Sequence, residues 1–291
     1  MTPAPRMAVI RAPDAVRRQT RQWRKKGRRI AFVPTMGFFH EGHLSLMRRA
    51  RTLADHVVIS VFVNPTQFGP AEDFEGYPRN VPRDLDLARG ERVDVCFLPR
   101  AERLYATDRR TAVHVTGLEH VLEGTTRPTH FSGVTLVVLK LLHIVEPDVL
   151  VLGQKDAQQA LILEHMVRDL DVPVRVVRGP IVRERDGLAM SSRNVRLSPE
   201  ERRAAPVLFR ALRDARVLIT SGERRVEPIL RRIRARIAEE PLARLDYVAI
   251  VDARNLNPLE RLEGRVLIPI AAWLGTTRLI DNLELSVRAA S

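Results

Sequence analysis

The stretch that decides the fold is Ile30-Ala-Phe-Val-Pro-Thr-Met-Gly-Phe-Phe-His-Glu-Gly-His-Leu-Ser-Leu-Met-Arg-Arg-Ala50. Its first four residues are apolar, which is typical of a parallel strand that is buried on both faces. Residues 44–50 carry the mixed apolar and polar pattern of an amphipathic helix. We therefore predict that a strand runs into a tight turn at residues 34–43, and that a helix follows the turn.

Two histidines, His40 and His43, stand three residues apart where this helix begins. A helix start offers free backbone N–H groups and the positive end of the helix dipole, which suits phosphate. Side chains at i and i+3 share a face, so both rings could contact one phosphate. A metal site and packed histidines without a function remain open, although zinc-binding pairs on helices more often have i, i+4 spacing.

Strands alternate with helices up to about residue 180. The predicted strands are 30–33, 56–63, 93–98, 113–116, 148–152 and 172–177, and the predicted helices are 13–28, 44–50, 84–89, 132–146 and one ending near 170. This alternation predicts an α/β fold with a doubly wound, Rossmann-like parallel sheet. From residue 183 onward a polar segment, two arginine-rich helices and strands at 247–251 and 265–268 predict a smaller C-terminal α+β domain. We predict domains at 1–182 and 183–291.

Polar segments follow three of the strands, at residues 34–43, 64–70 and 153–156. Ligands bind at the carboxyl ends of the strands in such sheets, so these segments are candidates for one site. Gln67 offers a donor and an acceptor, and Lys155 offers a cation for a phosphate. Met190-Ser-Ser-Arg193 adds hydroxyl and guanidinium donors. The alternatives are an ordinary turn for the segment with Gln67, a solvated helix start for the segment with Lys155, and a surface linker for residues 190–193.

The composition limits the class of protein. The 291 residues are 45% apolar, and no run of about 18 apolar residues predicts a membrane span. The single cysteine, Cys96, fits a reducing compartment, and no signal-peptide core begins the sequence, so we expect a cytoplasmic location. The net charge of +13 permits nucleic-acid binding. The arginines are dispersed among acids, however, and small anionic substrates suit the charge equally well.

The motifs together resemble those of the pantoate–β-alanine ligase family. Four of them occur in order, as P-T-M-G-x-x-H-x-G-H, F-V-N-P-T-Q-F, G-x-K-D-x-Q-Q and D-G-L-A-M-S-S-R-N, and the similarity resumes at residues 277–282. The resemblance implies a homodimeric, ATP-dependent ligase with magnesium and no nucleic-acid or membrane partner. Pantoate would attack the α-phosphate of ATP to form pantoyl adenylate and pyrophosphate. The amine of β-alanine would then displace AMP and form pantothenate.

The resemblance also implies a role for each matching residue. His43, His40, Lys155 and Arg193 would be catalytic, His43 as the proton donor, whereas Asn64, Gln67 and Gln159 would hold pantoate, and Asp84 would bind magnesium. ATP would contact Met36, Gly37, His40, His43, Gly153, Lys155, Asp156, Val182, Met190, Ser191, Ser192 and Arg193.

Three residues depart from the family pattern: Gln154 replaces a glutamate, Ala157 replaces an aromatic residue, and Arg83 lies in a stretch that is often acidic. Two rival functions stay open. A related nucleotidyltransferase would share the histidine motif, and a nucleic-acid-binding module would need a contiguous basic face.

Overall fold

The computed structural model describes residues 7–69 and 74–288 of the chain. Residues 1–6, 70–73 and 289–291 lie outside the described residues, and Pro70, the predicted end of the 64–70 loop, is among them. The chain divides into two compact units. The first runs to Gln154 and includes Gln158–Pro180, and the second comprises Lys155–Ala157 and the chain from Ile181 onward.

The first unit is built on a six-stranded sheet in which all neighbouring strands are parallel. Its strands are β1 (Ala8–Ile10), β2 (Ile30–Thr35), β3 (His56–Val61), β4 (Val95–Phe97), β5 (Val149–Gly153) and β6 (Arg175–Gly179). Their order is β1-β4-β3-β2-β5-β6, so the winding direction reverses between β2 and β5. This topology confirms the doubly wound sheet, and ligands bind beside such a reversal, at the carboxyl ends of the strands.

The helices of this part of the chain are α1 (Pro13–Lys25), α2 (Glu41–Arg51), α3 (Val81–Gly90), α4 (Ala101–Leu104), α5 (Glu123–Thr126), α6 (His130–Val145) and α7 (Ala157–Asp169). Alternate residues of β2, Ala31 and Val33, are buried in one core cluster with Met47 and Ala50 of α2. Residues two apart on the strand and three apart on the helix therefore pack into the same core.

The short helices α4 and α5 were not predicted, and two strands of the first unit also differ from the sequence prediction. Residues 113–116 form no strand, and the carbonyl of Val113 accepts a 2.6 Å hydrogen bond from the Thr135 hydroxyl. Strand β1 was not predicted, and its three residues gain their order by pairing with β4. Cys96 is fully buried in β4, and burial raises the pKa of its thiol to about 12.

The second unit combines an antiparallel sheet with helices. Its strands are β7 (Ala243–Val248), β8 (Val251–Asp252), β9 (Gly264–Leu274) and β10 (Thr277–Val287), and its helices are α8 (Pro199–Ala204), α9 (Val207–Thr220) and α10 (Val226–Ala238). Every second residue of β9 from Val266 to Leu274 joins a core that also receives Ile229, Ile233 and Ile237 of α10. Sheet and helix therefore share one core, which confirms the smaller α+β unit.

Strand β10 was not predicted because Arg278, Asp281 and Asn282 interrupt its apolar pattern. Residues 247–251, predicted as one strand, are divided between β7 and β8. Within the described residues, no helix is both long enough and apolar enough to cross a membrane.

Candidate active site

The turn after β2 is held by a buried carboxylate on α3. Asp84 accepts hydrogen bonds of 2.7 Å from the backbone N–H groups of both Phe38 and Phe39. Gly37 and Phe38 have φ angles of +86° and +53°, in the left-handed region. A Cβ atom on Gly37 would lie only 2.9 Å from Oδ2 of Asp84, so a larger residue would displace the carboxylate. The shape of the turn therefore depends on Asp84 and on a glycine at position 37.

These contacts do not fit the magnesium ligand expected at Asp84. The residue is 1% exposed, and each carboxylate oxygen already accepts a backbone hydrogen bond. Burial raises the pKa of Asp84, against the opposing effect of these bonds and of Arg83. Arg83 itself donates a 2.9 Å hydrogen bond to the Phe39 carbonyl. In residues 7–69 and 74–288, no group of three or more histidine, cysteine or acidic side chains could hold a metal. We therefore assign Asp84 and Arg83 to the turn.

His40 and His43 are oriented by the first turn of α2. The Nδ1 atom of His40 accepts from the backbone N–H of Gly42 at 3.2 Å, and that of His43 accepts from the N–H of His40 at 3.3 Å. A neutral imidazole nitrogen that accepts carries no proton, so the proton of each ring is assigned to Nε2. The ring centroids lie 4.1 Å apart.

This arrangement gives the helix start two Nε2–H donors on adjacent rings. Both rings lie where the N-terminus of α2 contributes a positive partial charge. The two imidazole rings can therefore stabilise negative charge on a bound phosphate. The hydrogen bonds that cap the helix also fix which nitrogen of each ring carries the proton.

The loop after β3 is organised by Asn64, which is 1% exposed. Its Nδ2 donates to Oε1 of Gln67 at 3.2 Å and to the carbonyl of Gly133 at 3.1 Å. Its Oδ1 accepts from the hydroxyls of Tyr105, at 2.8 Å, and Thr66, at 3.0 Å. With both ends of the amide engaged, we assign Asn64 the task of positioning Gln67 in place of the predicted contact with substrate.

The amide of Gln67 faces the segment that follows β2. Its Nε2 lies 3.3 Å from Sδ of Met36. Thr35 of β2 and Val61 of β3 are paired neighbours in the sheet, which explains why the loops after these strands meet. The structure thus brings together two of the predicted site segments, 34–43 and 64–70, through Met36 and Gln67.

Two residues of α6 hold this loop, and the sequence motifs indicated neither of them. His130 Nδ1 lies 3.0 Å from the Gln67 carbonyl, and its Nε2 lies 3.2 Å from Arg127. Arginine only donates, so Nε2 accepts and Nδ1 donates to the carbonyl. A Cβ atom on Gly133 would lie 2.5 Å from the carbonyl carbon of Thr66. The glycine inside an apolar helix was the available signal, because such a glycine marks a close backbone approach.

The two adjacent glutamines of α7 have different environments. Gln158 is buried, accepts from the N–H of Glu123 at 3.1 Å, and donates to the carbonyls of Leu118 and Val121 at 2.9 and 2.8 Å. Gln159 is half-buried, and within the described chain its side chain makes no hydrogen bond. Gln158 therefore holds a turn, and Gln159 has an amide available for a ligand.

The departure at Gln154 has a local explanation. Its Oε1 lies 3.3 Å from Nη1 of Arg178, which is already paired with Glu164 through a 2.7 Å hydrogen bond. The neutral amide therefore fits an arginine whose charge another carboxylate has balanced. The methyl group of Ala157, at the second departure, is buried.

The segment from Val182, the predicted adenine contact, to the predicted phosphate-binding residues 190–193 lies in the second unit and has regular structure. The N–H of Met190 donates to the carbonyl of Val182 at 3.0 Å, which closes a hairpin, and Gly187 in its turn has φ of +94°. A Cβ atom on Gly187 would overlap the ring of Phe209. Ser191 then caps a short 3₁₀ helix that begins at Ser192 and contains Arg193. The segment therefore has regular structure, and phosphate binding by residues 190–193 stays a prediction.

Lys155 also belongs to the second unit, where its Nζ lies 3.6 Å from Oδ1 of Asp156. The predicted site residues thus fall into two sets. The first unit holds Met36, Gly37, His40, His43, Asn64, Gln67, Asp84, Gly153 and Gln159, and the second holds Lys155, Asp156, Val182, Met190, Ser191, Ser192 and Arg193.

Comparison with known proteins gives nearly full-length matches. The family model "Pantoate-beta-alanine ligase" matches residues 8–284. The pantothenate synthetase of Moorella thermoacetica is 52% identical over 97% of this chain and 99% of its own length. That of Heliobacterium modesticaldum is 53% identical over 96% of this chain and all of its own.

Solved structures agree with these sequence matches. The pantothenate synthetase of Thermus thermophilus has a TM-score of 0.92 at 44% identity and covers 96% of this chain and 100% of its own. The pantoate-β-alanine ligase of Francisella tularensis, solved with β-γ ATP and β-alanine, has a TM-score of 0.77 at 31% identity, over 95% of this chain and 97% of its own. The chain therefore belongs to the pantoate–β-alanine ligase family.

Proposed function

We propose that this enzyme forms pantothenate in two steps through pantoyl adenylate. A carboxylate oxygen of pantoate attacks the α-phosphorus of ATP, and the bond from that phosphorus to the bridging oxygen breaks, releasing pyrophosphate. The amine of β-alanine then attacks the acyl carbon, loses a proton, and displaces AMP. Direct transfer between bound substrates requires positioning and charge stabilisation rather than a protein nucleophile.

The paired imidazoles of His40 and His43 carry this proposal. Attack at phosphorus moves negative charge onto the non-bridging oxygens and the leaving pyrophosphate. Two Nε2–H donors beside the N-terminus of α2 suit that charge, because backbone N–H groups already hold both rings through Nδ1. In our proposal His43 donates to the developing charge and His40 holds the α-phosphate.

The other roles are proposals that follow from the matched motifs. Gln67, held by Asn64 and His130, and Gln159, whose amide is available, would orient pantoate. Met36, Gly37 and Gly153 would line the nucleotide site. Lys155 and the 190–193 segment would contact phosphates, Asp156 the ribose, and Val182 the adenine. Support for ATP and β-alanine as substrates comes from the Francisella relative.

We also propose a homodimer in the cytoplasm, on the family resemblance and on the single buried thiol of Cys96. Magnesium is expected to accompany the triphosphate, where it would neutralise phosphate charge. Because Asp84 is committed to the turn, no step is assigned to a metal at that carboxylate.

Exchange of labelled pyrophosphate into ATP tests the first step directly. We expect exchange that requires pantoate and proceeds without β-alanine, since the adenylate forms before the amine reacts. Exchange supported by another carboxylate but not by pantoate would show a related nucleotidyltransferase with a different acceptor. If the enzyme forms pantothenate but shows no pyrophosphate exchange when β-alanine is left out, the adenylate intermediate is contradicted.

A further inference from the structure

The main chain of Lys155 is held by a residue far along the sequence. Nδ2 of Asn282, on β10, donates a 2.9 Å hydrogen bond to the carbonyl oxygen of Lys155. Asn282 is 4% exposed, so this bond is shielded from competing water. Lys155 lies in the short 3₁₀ turn Gln154–Asp156 between β5 and α7, and the bond from Asn282 reaches its carbonyl from a distant strand. The bond from Asn282 therefore restricts the orientation of this turn.

Asn282 is in turn held by its neighbour Asp281, which is 3% exposed. The backbone N–H of Asn282 donates to Oδ1 of Asp281 at 2.8 Å. Both terminal nitrogens of Arg183 donate hydrogen bonds to the same carboxylate, at 2.6 and 2.9 Å. A buried carboxylate with a bidentate arginine partner has little rotational freedom, so it provides a rigid base for Asn282.

The same arginine also organises the hairpin that precedes Met190. Nη1 of Arg183 donates to the Gly187 carbonyl at 3.1 Å, and its guanidinium stacks 4.6 Å from the centre of the Phe209 ring. The dipeptide Asp281-Asn282 is thus an anchor common to the Lys155 turn and to the 182–190 hairpin.

We propose that Asn282 is a positioning residue for Lys155, acting through the Lys155 carbonyl to direct its ammonium group toward the reacting phosphates. The proposal rests on the phosphate role proposed above for Lys155. Its physical basis is that a displacement of about 1 Å at a catalytic group can lower a rate by about a hundredfold. Asn282 itself needs no contact with substrate.

A double-mutant cycle with Asn282→Ala and Lys155→Ala separates positioning from general stability, with pantoate-dependent pyrophosphate exchange as the readout. In the native background we expect Asn282→Ala to lower kcat by roughly tenfold to a hundredfold, with the KM for pantoate changed by less than about twofold. In the Lys155→Ala background we expect no further loss, because the group that Asn282 directs is already absent. Asn282→Ser serves in the same cycle if the alanine variant does not fold.

The matched control is Asn257→Ala, at an exposed asparagine of the same unit whose side chain makes no hydrogen bond within the described residues. This control should keep native exchange. Equal losses from Asn282→Ala in both backgrounds would overturn the positioning role while leaving the ligase proposal standing. Native exchange in Lys155→Ala alone would instead refute the phosphate role of Lys155 and, with it, this inference.

Discussion

The carboxylate of Asp84 accepts a 2.7 Å hydrogen bond from the backbone N–H of Phe38, a residue in the left-handed region at φ +53°. This hydrogen bond and the equivalent one from the backbone N–H of Phe39 stabilise a strained turn before His40. A carboxylate on α3 thereby sets the direction in which the chain enters α2.

The first prediction concerns Asp84→Asn. The substitution replaces one acceptor oxygen with a donor that faces a backbone N–H, so we expect a loss of about 1–3 kcal/mol in the free energy of unfolding. Exchange should fall as well, because the histidine turn loosens. Urea unfolding and exchange assays measure both. The magnesium concentration at half-maximal exchange should stay unchanged, and a marked rise would restore the metal-ligand role of Asp84.

The second prediction concerns His43→Ala. Losing one donor to the developing charge costs on the order of 3 kcal/mol in the barrier, so exchange should fall about a hundredfold or more. The circular dichroism spectrum should remain native. The control is His143→Ala, at an exposed histidine of α6 whose side chain has no hydrogen bond in the described part of the chain. Near-native exchange in His43→Ala would rule out the role proposed for this ring.

The third prediction concerns Gly133→Ala. The new Cβ atom would lie 2.5 Å from the Thr66 carbonyl carbon and 2.6 Å from the Gln67 backbone nitrogen, so helix and loop must separate. We expect about 1–3 kcal/mol of destabilisation from this overpacking and a lower kcat/KM for pantoate. Gly90→Ala is the matched control, because a Cβ atom there meets no atom within 4 Å. Equal kcat/KM values in the two variants would contradict the role of Gly133.

The fourth prediction concerns the thiol of Cys96. With a pKa of about 12, roughly one thiol in ten thousand is ionised at pH 8, and the side chain is fully buried. A thiol-specific reagent should therefore label the native enzyme very slowly and label one cysteine in urea. Rapid labelling without denaturant would show that β4 is exposed.

The same thiol predicts a pH dependence of stability. The folded state keeps the proton up to about pH 12, whereas the unfolded chain releases it near the ordinary thiol pKa of 9.0. The unfolded state therefore binds fewer protons between these values, and stability falls as the pH rises through them. The difference in unfolding free energy between the native chain and Cys96→Ala should shift against the native chain above about pH 9. A constant difference would contradict the raised pKa.

Local sequence patterns predicted many of the candidate site residues, but not the residues that hold them in place. His40 and His43 could be recognised because a helix start and an i, i+3 spacing are properties of neighbouring residues. The role of Asn64 could not be separated from that of Gln67 by sequence, whereas the resemblance already selected Gln159 over its neighbour Gln158. Both residues of the first pair carry amides, and only the hydrogen bonds of the folded chain show that both ends of the Asn64 amide are engaged inside the protein. The resemblance implied a metal-binding role for Asp84, and only its hydrogen bonds in the folded chain show that it supports a turn.

By itself, the sequence determined the alternating α/β order, the strand–turn–helix at residues 30–50, and the family through four motifs. Periodicity and turn chemistry act between residues close in the chain, so they are readable without a structure. Only the tertiary structure decided that Asp84 holds the Phe38 turn, that His130 holds Gln67, and that Asn282 holds Lys155 across 127 positions. Buried polar groups must find partners, and folding alone determines which distant residue supplies each one.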